Sequence, residues 1–243
     1  MPITQFSTID ALMLGHFDGE FNLADVLKKG DIGVGARRDL DGELIIIDGV
    51  GYAGLPGGKI QRMAADEKLA FATVGSFKMS DCLIPVEDVP DMRSLQSECL
   101  KAVEIIGKRA NNHPLICRVD GTFKRVLTRS FNRVDKPYPD LFTEAKKQVE
   151  AEFTDIQGTL LGFYFPKFFS GINQDGWHFH FISRDRLSAG GHCLDLQIQR
   201  GLLGLRVESG VDIVLPDDDD FAGLHLDGDL SAKRDHVENK STR

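Results

Sequence analysis

The sequence lacks the features that mark membrane, secreted and nucleic-acid-binding proteins. No apolar run approaches the roughly 20 residues that a helix needs to cross a bilayer. The N-terminus, MPITQFSTID, has neither the basic segment nor the apolar core of a signal peptide. Acidic residues outnumber basic ones by 37 to 29, which gives a net charge of -8. This charge argues against a nucleic acid or an anionic membrane as partner. From the lack of a signal peptide and the scattered cysteines described next, we expect a cytoplasmic protein.

Cysteine is scarce and has no recognisable spacing. The four cysteines are Cys82, Cys99, Cys117 and Cys193, and none lies in a CxxC or another metal-ligand pattern. This distribution indicates buried free thiols in a reducing compartment. Cys193 directly follows a histidine, and neighbours in a strand face opposite sides, so we expect its thiol to pack in the core.

One segment has the glycine spacing of a dinucleotide-binding motif but not the helix that such a motif requires. The string GVGYAG (49–54) matches GxGxxG and follows the apolar strand ELIIID (43–48). A dinucleotide site requires a helix directly after the glycines, because the pyrophosphate binds at the helix N-terminus. The residues that follow, LPGG (55–58), cannot form the first turns of a helix. The segment is therefore predicted to be a hairpin without a nucleotide.

The order of apolar patterns predicts an α+β fold. Helical spacing over 91–108 and a strand over 69–77 mix in the first half, whereas strands dominate after Gly158. We expect two packed β-rich regions with a few short helices. The first, a mixed sheet, covers 1–155; the second, a mainly antiparallel sheet that carries the metal, covers 156–243 and ends in a wrapping tail. The strands expected in the second region are 159–165, 176–182, 192–198 and 203–208.

Two local predictions depend on single sequence signals. The segment LICRVDGTFKRVLTRSF (115–131) contains Asp120-Gly121, a dipeptide typical of two-residue turns, and predicts two strands joined as a hairpin. The segment from Pro216 onward is polar and acidic, which predicts a solvated tail.

Three histidines lie close together in the segment GWHFHFISRDRLSAGGHCLDL: His178, His180 and His192. Residues i and i+2 of a strand share a face and lie roughly 6.5–7 Å apart. The segment between His180 and His192 has the right length for a hairpin that returns a third imidazole beside the first two. Three neutral imidazoles leave zinc an open position, which is typical of catalytic sites. The aromatic residues that alternate with the first two histidines are expected to face a core: Trp177, Phe179 and Phe181.

Several longer strings resemble one known family. They are STIDALM, LDGELIIIDG, RVDGTFKRVLTRS, KPYP and GWHFHFISRDR followed by GGHCLD. Together they resemble α-acetolactate decarboxylases from Thr4 to about Asp195, and more weakly beyond. The resemblance implies a zinc-dependent lyase of acetoin biosynthesis and the butanediol pathway, which converts 2-acetolactate to (R)-acetoin and carbon dioxide. It also implies a homodimer.

The resemblance also implies site residues that composition alone does not nominate. The family's arginine corresponds to Arg129, in VLTRSF, and its two active-site glutamates to Glu43 and Glu238. Asp235 and Asp229 are the alternatives to Glu238 in the divergent tail. The zinc ligands correspond to the three histidines already named: His178, His180 and His192.

These residues suit the implied chemistry. Zinc, or another divalent transition metal, would act as a Lewis acid that stabilises an enediolate. Arg129 offers a planar fork for a carboxylate, and Glu43 or Glu238 would protonate carbon. The residues alone leave two rivals open. One is a three-histidine zinc hydrolase or hydratase, and the other is a metal-stabilised binding module or inactive family member.

Overall fold

The computed structural model describes residues 1–79, 83–105, 107 and 112–238, without the side chains of Asp235 and Glu238. The strands are β1 (Ile3–Phe6), β2 (Phe21–Asn22), β3 (Ile32–Arg37), β4 (Glu43–Ile47), β5 (Val50–Gly54), β6 (Ile60–Arg62), β7 (Lys68–Gly75), β8 (Leu83–Val89), β9 (Leu115–Ser130), β10 (Val149–Phe165), β11 (Gly176–Ser183), β12 (Gly190–Val207) and β13 (Val211–Val214). The α-helices are α1 (Ile9–Met13), α2 (Leu23–Leu27), α3 (Met92–Ile105), α4 (Leu141–Ala145), α5 (Asp219–Ala222) and α6 (Ser231–Glu238).

The strands form two sheets, which confirms the predicted α+β class. The first sheet has the order β13-β1-β7-β3-β4-β5-β6, with β2 beside β7. It is mixed, because β1 and β13 run parallel whereas its other pairs run antiparallel. The second sheet is antiparallel and has the order β11-β10-β9-β12-β8, with a further pairing of β11 and β12. The division at residue 155 stays a prediction, and β10 runs across it.

Apolar side chains from both sheets meet in a shared core. Ile3 and Ile45 of the first sheet belong to the same buried cluster as Ile116, Leu161 and Phe163 of the second. Burial of each such side chain contributes about 1.5–3 kcal/mol of favourable transfer free energy. This shared core holds the two sheets against each other, so that residues from both reach one site.

Helix α3 covers the other face of the second sheet. Its Leu95 and Cys99 are fully buried in a cluster with Phe179 of β11. The helix predicted over 91–108 is thus confirmed from Met92 to Ile105, and residues 106 and 108 lie outside the described part. Cys99, Cys117 and Cys193 are buried free thiols, as expected, whereas Cys82 lies outside the described residues.

The hairpin predicted at Asp120-Gly121 is wrong. β9 continues through both residues, and Asp120 pairs with Thr159 of β10 on one side and Leu202 of β12 on the other. A Cβ on Gly121 would lie 2.4 Å from the carbonyl oxygen of Arg200. The glycine therefore permits a close approach of two backbones rather than a turn. The same pairing with β9 keeps β12 extended, so it is one long strand where two strands were predicted.

The segment after Pro216 is only partly a solvated tail. It forms α5 and α6, and within α6 Arg234 and Val237 are each 2 % exposed. The prediction failed there because the partners of these side chains lie far away in the chain, as described below. Among the described residues, no helix has both the length and the apolar character needed to cross a membrane.

Candidate functional site

The three predicted histidines converge at the interface of the two sheets. His178 and His180 lie on β11, and the strand pairing places His192 of β12 directly opposite His180. All three are buried, with exposures of 6, 0 and 1 %. One nitrogen from each imidazole lies within 4.8 Å of the other two. The turn between β11 and β12 therefore returns the third imidazole as the sequence predicted.

The imidazole nitrogens are close enough to share one ion. The Nε2 atoms of His178 and His180 lie 3.0 Å apart, and Nδ1 of His192 lies 3.2 Å from Nε2 of His178. Three buried imidazole nitrogens match the preferred ligands of zinc and of other divalent transition metals. The donor set thus fits a metal ion.

A backbone carbonyl of the first sheet orients one of these ligands. Nδ1 of His180 lies 2.8 Å from the carbonyl oxygen of Leu44, so the tautomer that donates this bond directs an Nε2 lone pair at the cluster. Burial lowers the pKa of His180 well below its usual value, with a smaller effect in the same direction from His178 and Arg129. The imidazole is therefore neutral, as a metal ligand must be.

A buried ion pair lies beside the histidines. Nη1 of Arg129 donates to Oε1 of Glu43 over 2.7 Å, and Oε2 of Glu43 lies 3.7 Å from Nε2 of His180. Glu43 opens β4 and Arg129 lies near the end of β9, where it pairs with His192. The structure thus brings together five of the six residues that the sequence nominated.

Close backbone contact explains how Glu43 reaches the second sheet. Glu43 pairs with Gly54 of β5, and a Cβ on Gly54 would lie 2.9 Å from Cα of Gly191. Gly191 itself has φ of +140°, a conformation that residues with a Cβ rarely adopt. These two glycines let β5 and β12 touch one residue before His192. The segment GVGYAG forms a hairpin strand with β4, as predicted. Its last glycine permits the close contact with β12.

An apolar wall faces the polar groups across a cavity. Glu43, Arg129 and His178 supply its polar side. Sequence patterns gave no indication of the wall, because its members come from separate elements. They are Ile9, Leu12, Gly35, Ala36, Leu40, Phe71, Phe131 and Leu141. A site with this lining suits a small molecule that carries both polar and alkyl groups.

The sixth nominated residue, Glu238, is the last residue of α6, and its side chain lies outside the described part, as does that of Asp235. Asp229 is exposed and accepts a hydrogen bond from the backbone of Ser231 over 2.9 Å. It does not line the cavity of the histidines.

Comparison with known proteins agrees with this architecture. Residues 3–228 match the family model for alpha-acetolactate decarboxylase. An alpha-acetolactate decarboxylase of Brevibacillus brevis is 36% identical over 91% of this chain and 75% of its own length. One from Methanosarcina mazei is 34% identical over 96% of this chain and 79% of its own. The crystal structure of the Bacillus subtilis alpha-acetolactate decarboxylase superposes with a TM-score of 0.91 at 29% identity, over 98% of this chain and 99% of that one.

Proposed function

The chain belongs to the alpha-acetolactate decarboxylase family and is an enzyme of that class, and from this premise we propose that it converts 2-acetolactate to (R)-acetoin and carbon dioxide at the three-histidine site. The observation that carries the proposal is the buried contact of Glu43 with Arg129 beside His180. Polar groups for a hydroxy-keto acid and an apolar wall for its methyl groups surround a single cavity.

We propose zinc as the ion that His178, His180 and His192 hold. Their donor set fits zinc, and the bond from His180 to the Leu44 carbonyl is the kind of outer contact that orients zinc ligands. When bound, zinc would supply Lewis acidity toward the substrate oxygens and stabilise negative charge that develops on them.

Arg129 is proposed to position the substrate and to stabilise charge. Loss of carbon dioxide breaks the bond between C1 and C2, and its electron pair moves toward the ketone oxygen to give an enediolate. The guanidinium of Arg129 carries several donors in one plane, so it can bind the carboxylate before this step and an enediolate oxygen after it. Glu43 holds the guanidinium in place over 2.7 Å.

A carboxylic acid is proposed to complete the reaction by protonating C2. Glu43 lies at the polar side of the cavity, and Glu238 is the second candidate that the family resemblance implies. The apolar wall, which includes Phe71 and Phe131, lowers the local polarity around the reacting carbon. Delivery of the proton to one face of the planar enediolate would give a single enantiomer of acetoin.

The experiment that tests the proposal follows acetoin formation from racemic 2-acetolactate by chiral gas chromatography. We expect rapid (R)-acetoin formation that stops after chelation and returns with zinc, while circular dichroism shows that the fold persists. A folded, zinc-loaded protein that forms no acetoin above the spontaneous background would contradict the proposal. It would favour the alternative hypothesis of a zinc hydrolase or hydratase. Loss of the fold on chelation would favour the metal-stabilised binding module.

The assembly state is part of the same proposal. We propose a homodimer, in line with what the family resemblance implies. Light scattering coupled to size exclusion should give twice the chain mass of 26.9 kDa. A mass equal to that of one chain at working concentration would contradict the homodimer and leave the catalytic proposal unaffected.

A further inference from the structure

A buried ion pair fastens the C-terminal helix to the first helix. Arg234 of α6 is 2 % exposed and Asp10 of α1 is 6 % exposed. Nη1 of Arg234 donates to Oδ1 of Asp10, and Nη2 donates to Oγ of Ser170. Charges withdrawn from water in this way persist only in close, hydrogen-bonded geometry. The contact therefore fixes α6 relative to α1 in a defined orientation.

Helix α1 forms part of the apolar wall of the active-site cavity, and helix α6 packs behind that wall. Ile9 and Leu12, which flank Asp10 on α1, line the cavity. Val237 of α6 is 2 % exposed and belongs to the same apolar cluster as these two residues. The Arg234–Asp10 ion pair thus joins the helix that supplies part of the wall to the helix that packs behind it.

Helix α6 also packs on α4, which supplies another part of the wall. Leu141 of α4 lines the cavity, and α4 and α6 are in contact. The rings of Phe142 and His236 lie 5.2 Å apart between their centroids. A shift of α6 would therefore be transmitted to the wall through both α1 and α4.

A second contact holds the same segment farther upstream. Nε2 of His16, just after α1, lies 3.2 Å from both carboxylate oxygens of Asp218. The segment from Asp218 to Val237 is thus attached to the α1 region near each of its ends. Attachment at two points limits the positions that α6 can adopt.

We propose that Arg234 is a positioning residue for the decarboxylation. Through Asp10 it holds α1 and α6 so that the apolar wall fits the two methyl groups of acetolactate more closely than a longer alkyl group. This inference rests on the proposed function. Arg234 contacts Asp10 and Ser170 rather than the residues around the metal site, so it sets the shape of the wall and not the binding of the ion.

The test compares two substrates in an Arg234→Met variant. These are 2-acetolactate and its homologue with an ethyl group in place of the methyl group on C2. A well-fitted apolar pocket distinguishes one methylene by about 10–200-fold in kcat/KM. We expect Arg234→Met to lower kcat/KM for acetolactate and to move the ratio several-fold in favour of the homologue, with zinc content unchanged. Arg234→Lys, which keeps the charge, should retain much of the wild-type ratio of kcat/KM for the two substrates.

Two further variants separate positioning from simple loss of stability. The double variant Asp10→Leu/Arg234→Met replaces the ion pair by apolar groups, a change that folded proteins commonly tolerate, and it should show the shifted ratio. Arg118→Met is the matched control, because Arg118 is 14 % exposed in its side chain and pairs with Asp48 and Asp120, away from the cavity. Its substrate ratio should equal that of the wild type.

The outcomes are distinct. An unchanged substrate ratio in folded Arg234→Met and in the double variant would overturn the inference, as would an equal shift in Arg118→Met. If the wild type decarboxylates neither substrate, the proposed function fails instead. Hydrogen exchange in α1 then still decides whether Arg234 holds that helix: faster exchange in Arg234→Met, with no change in Arg118→Met, supports the contact.

Discussion

Glu43 of the first sheet and Arg129 of the second sheet meet at 2.7 Å, each nearly excluded from solvent. The two residues are 86 positions apart in the chain. The packing of β4 against β11 and β12 brings the two residues together, so the catalytic proposal depends on the interface between the sheets. Substitutions of Glu43 and Arg129 should therefore affect turnover more than they affect metal binding.

The first prediction concerns Glu43→Gln. The amide keeps the shape and one acceptor for Arg129 but removes the negative charge and the ability to take up and release a proton. We expect kcat to fall by about 10²–10⁴, the contribution typical of a general acid or base, with zinc content retained. Glu152→Gln is the control, because Glu152 also binds an arginine, Arg125, but is 51 % exposed in its side chain. Equal activity of both variants would contradict the role of Glu43.

The second prediction concerns Glu238→Gln. If Glu238 supplies the proton to C2, its loss should leave release of carbon dioxide more intact than the chirality of the product. Carbon dioxide and both acetoin enantiomers are measured from the same reaction. Unchanged formation of (R)-acetoin would remove Glu238 as the proton donor and leave Glu43 as the candidate.

The third prediction concerns His180→Ala. His180 is fully buried, and it bridges the cluster and the Leu44 carbonyl. We expect loss of bound zinc and of all acetoin formation above background. Removal of a large buried side chain should also cost about 2–4 kcal/mol of stability. Elemental analysis and urea unfolding check the two effects separately. His113→Ala, at an exposed histidine outside the site, should change neither.

The sequence allowed prediction of the elements whose signals are local. The His-x-His alternation on β11 predicted the shared face of His178 and His180, and the length of the following segment predicted the return of His192. The Asp120-Gly121 signal failed because partner strands on both sides keep β9 extended, and no local pattern reports such partners. Burial of Arg234 was missed for a similar reason, since its partner Asp10 is 224 positions away.

The residues of the site also differ in how far the sequence predicted them. The histidines followed from spacing, whereas Glu43 and Arg129 were implied by family resemblance, because each alone is an ordinary strand residue. The apolar wall could not be read from the sequence, because Ile9, Phe71 and Leu141 belong to three different elements. Residues that form a surface only after folding leave no periodic signal in the chain.

The fourth prediction concerns Asp185 in the turn between β11 and β12. Its Oδ1 accepts hydrogen bonds from Ser183 Oγ and from the backbone N–H groups of Leu187 and Ser188. These bonds lower the pKa of Asp185 well below its ordinary value of 3.8. The carboxylate therefore stabilises the fold fully above that value, and the stabilisation is lost as the pH falls toward the lowered pKa.

We expect Asp185→Ala to cost about 1 kcal/mol at neutral pH, as for the loss of a capping carboxylate. The difference from the wild type should shrink only at pH values below 3.8. Urea unfolding across the acidic range measures it, with Asp66→Ala as the control at an exposed turn aspartate. A difference that does not depend on pH would show that the charge of Asp185 is not what stabilises the turn.

The most direct measurement for the central claim is a zinc titration of chelated, folded protein with acetoin formation as the readout. The account predicts that the rate rises in proportion to bound zinc and reaches a plateau at one ion per chain, and that His180→Ala shows no such rise. Acetoin formation that does not depend on metal, or zinc bound by the three histidines without any acetoin above background, would contradict it.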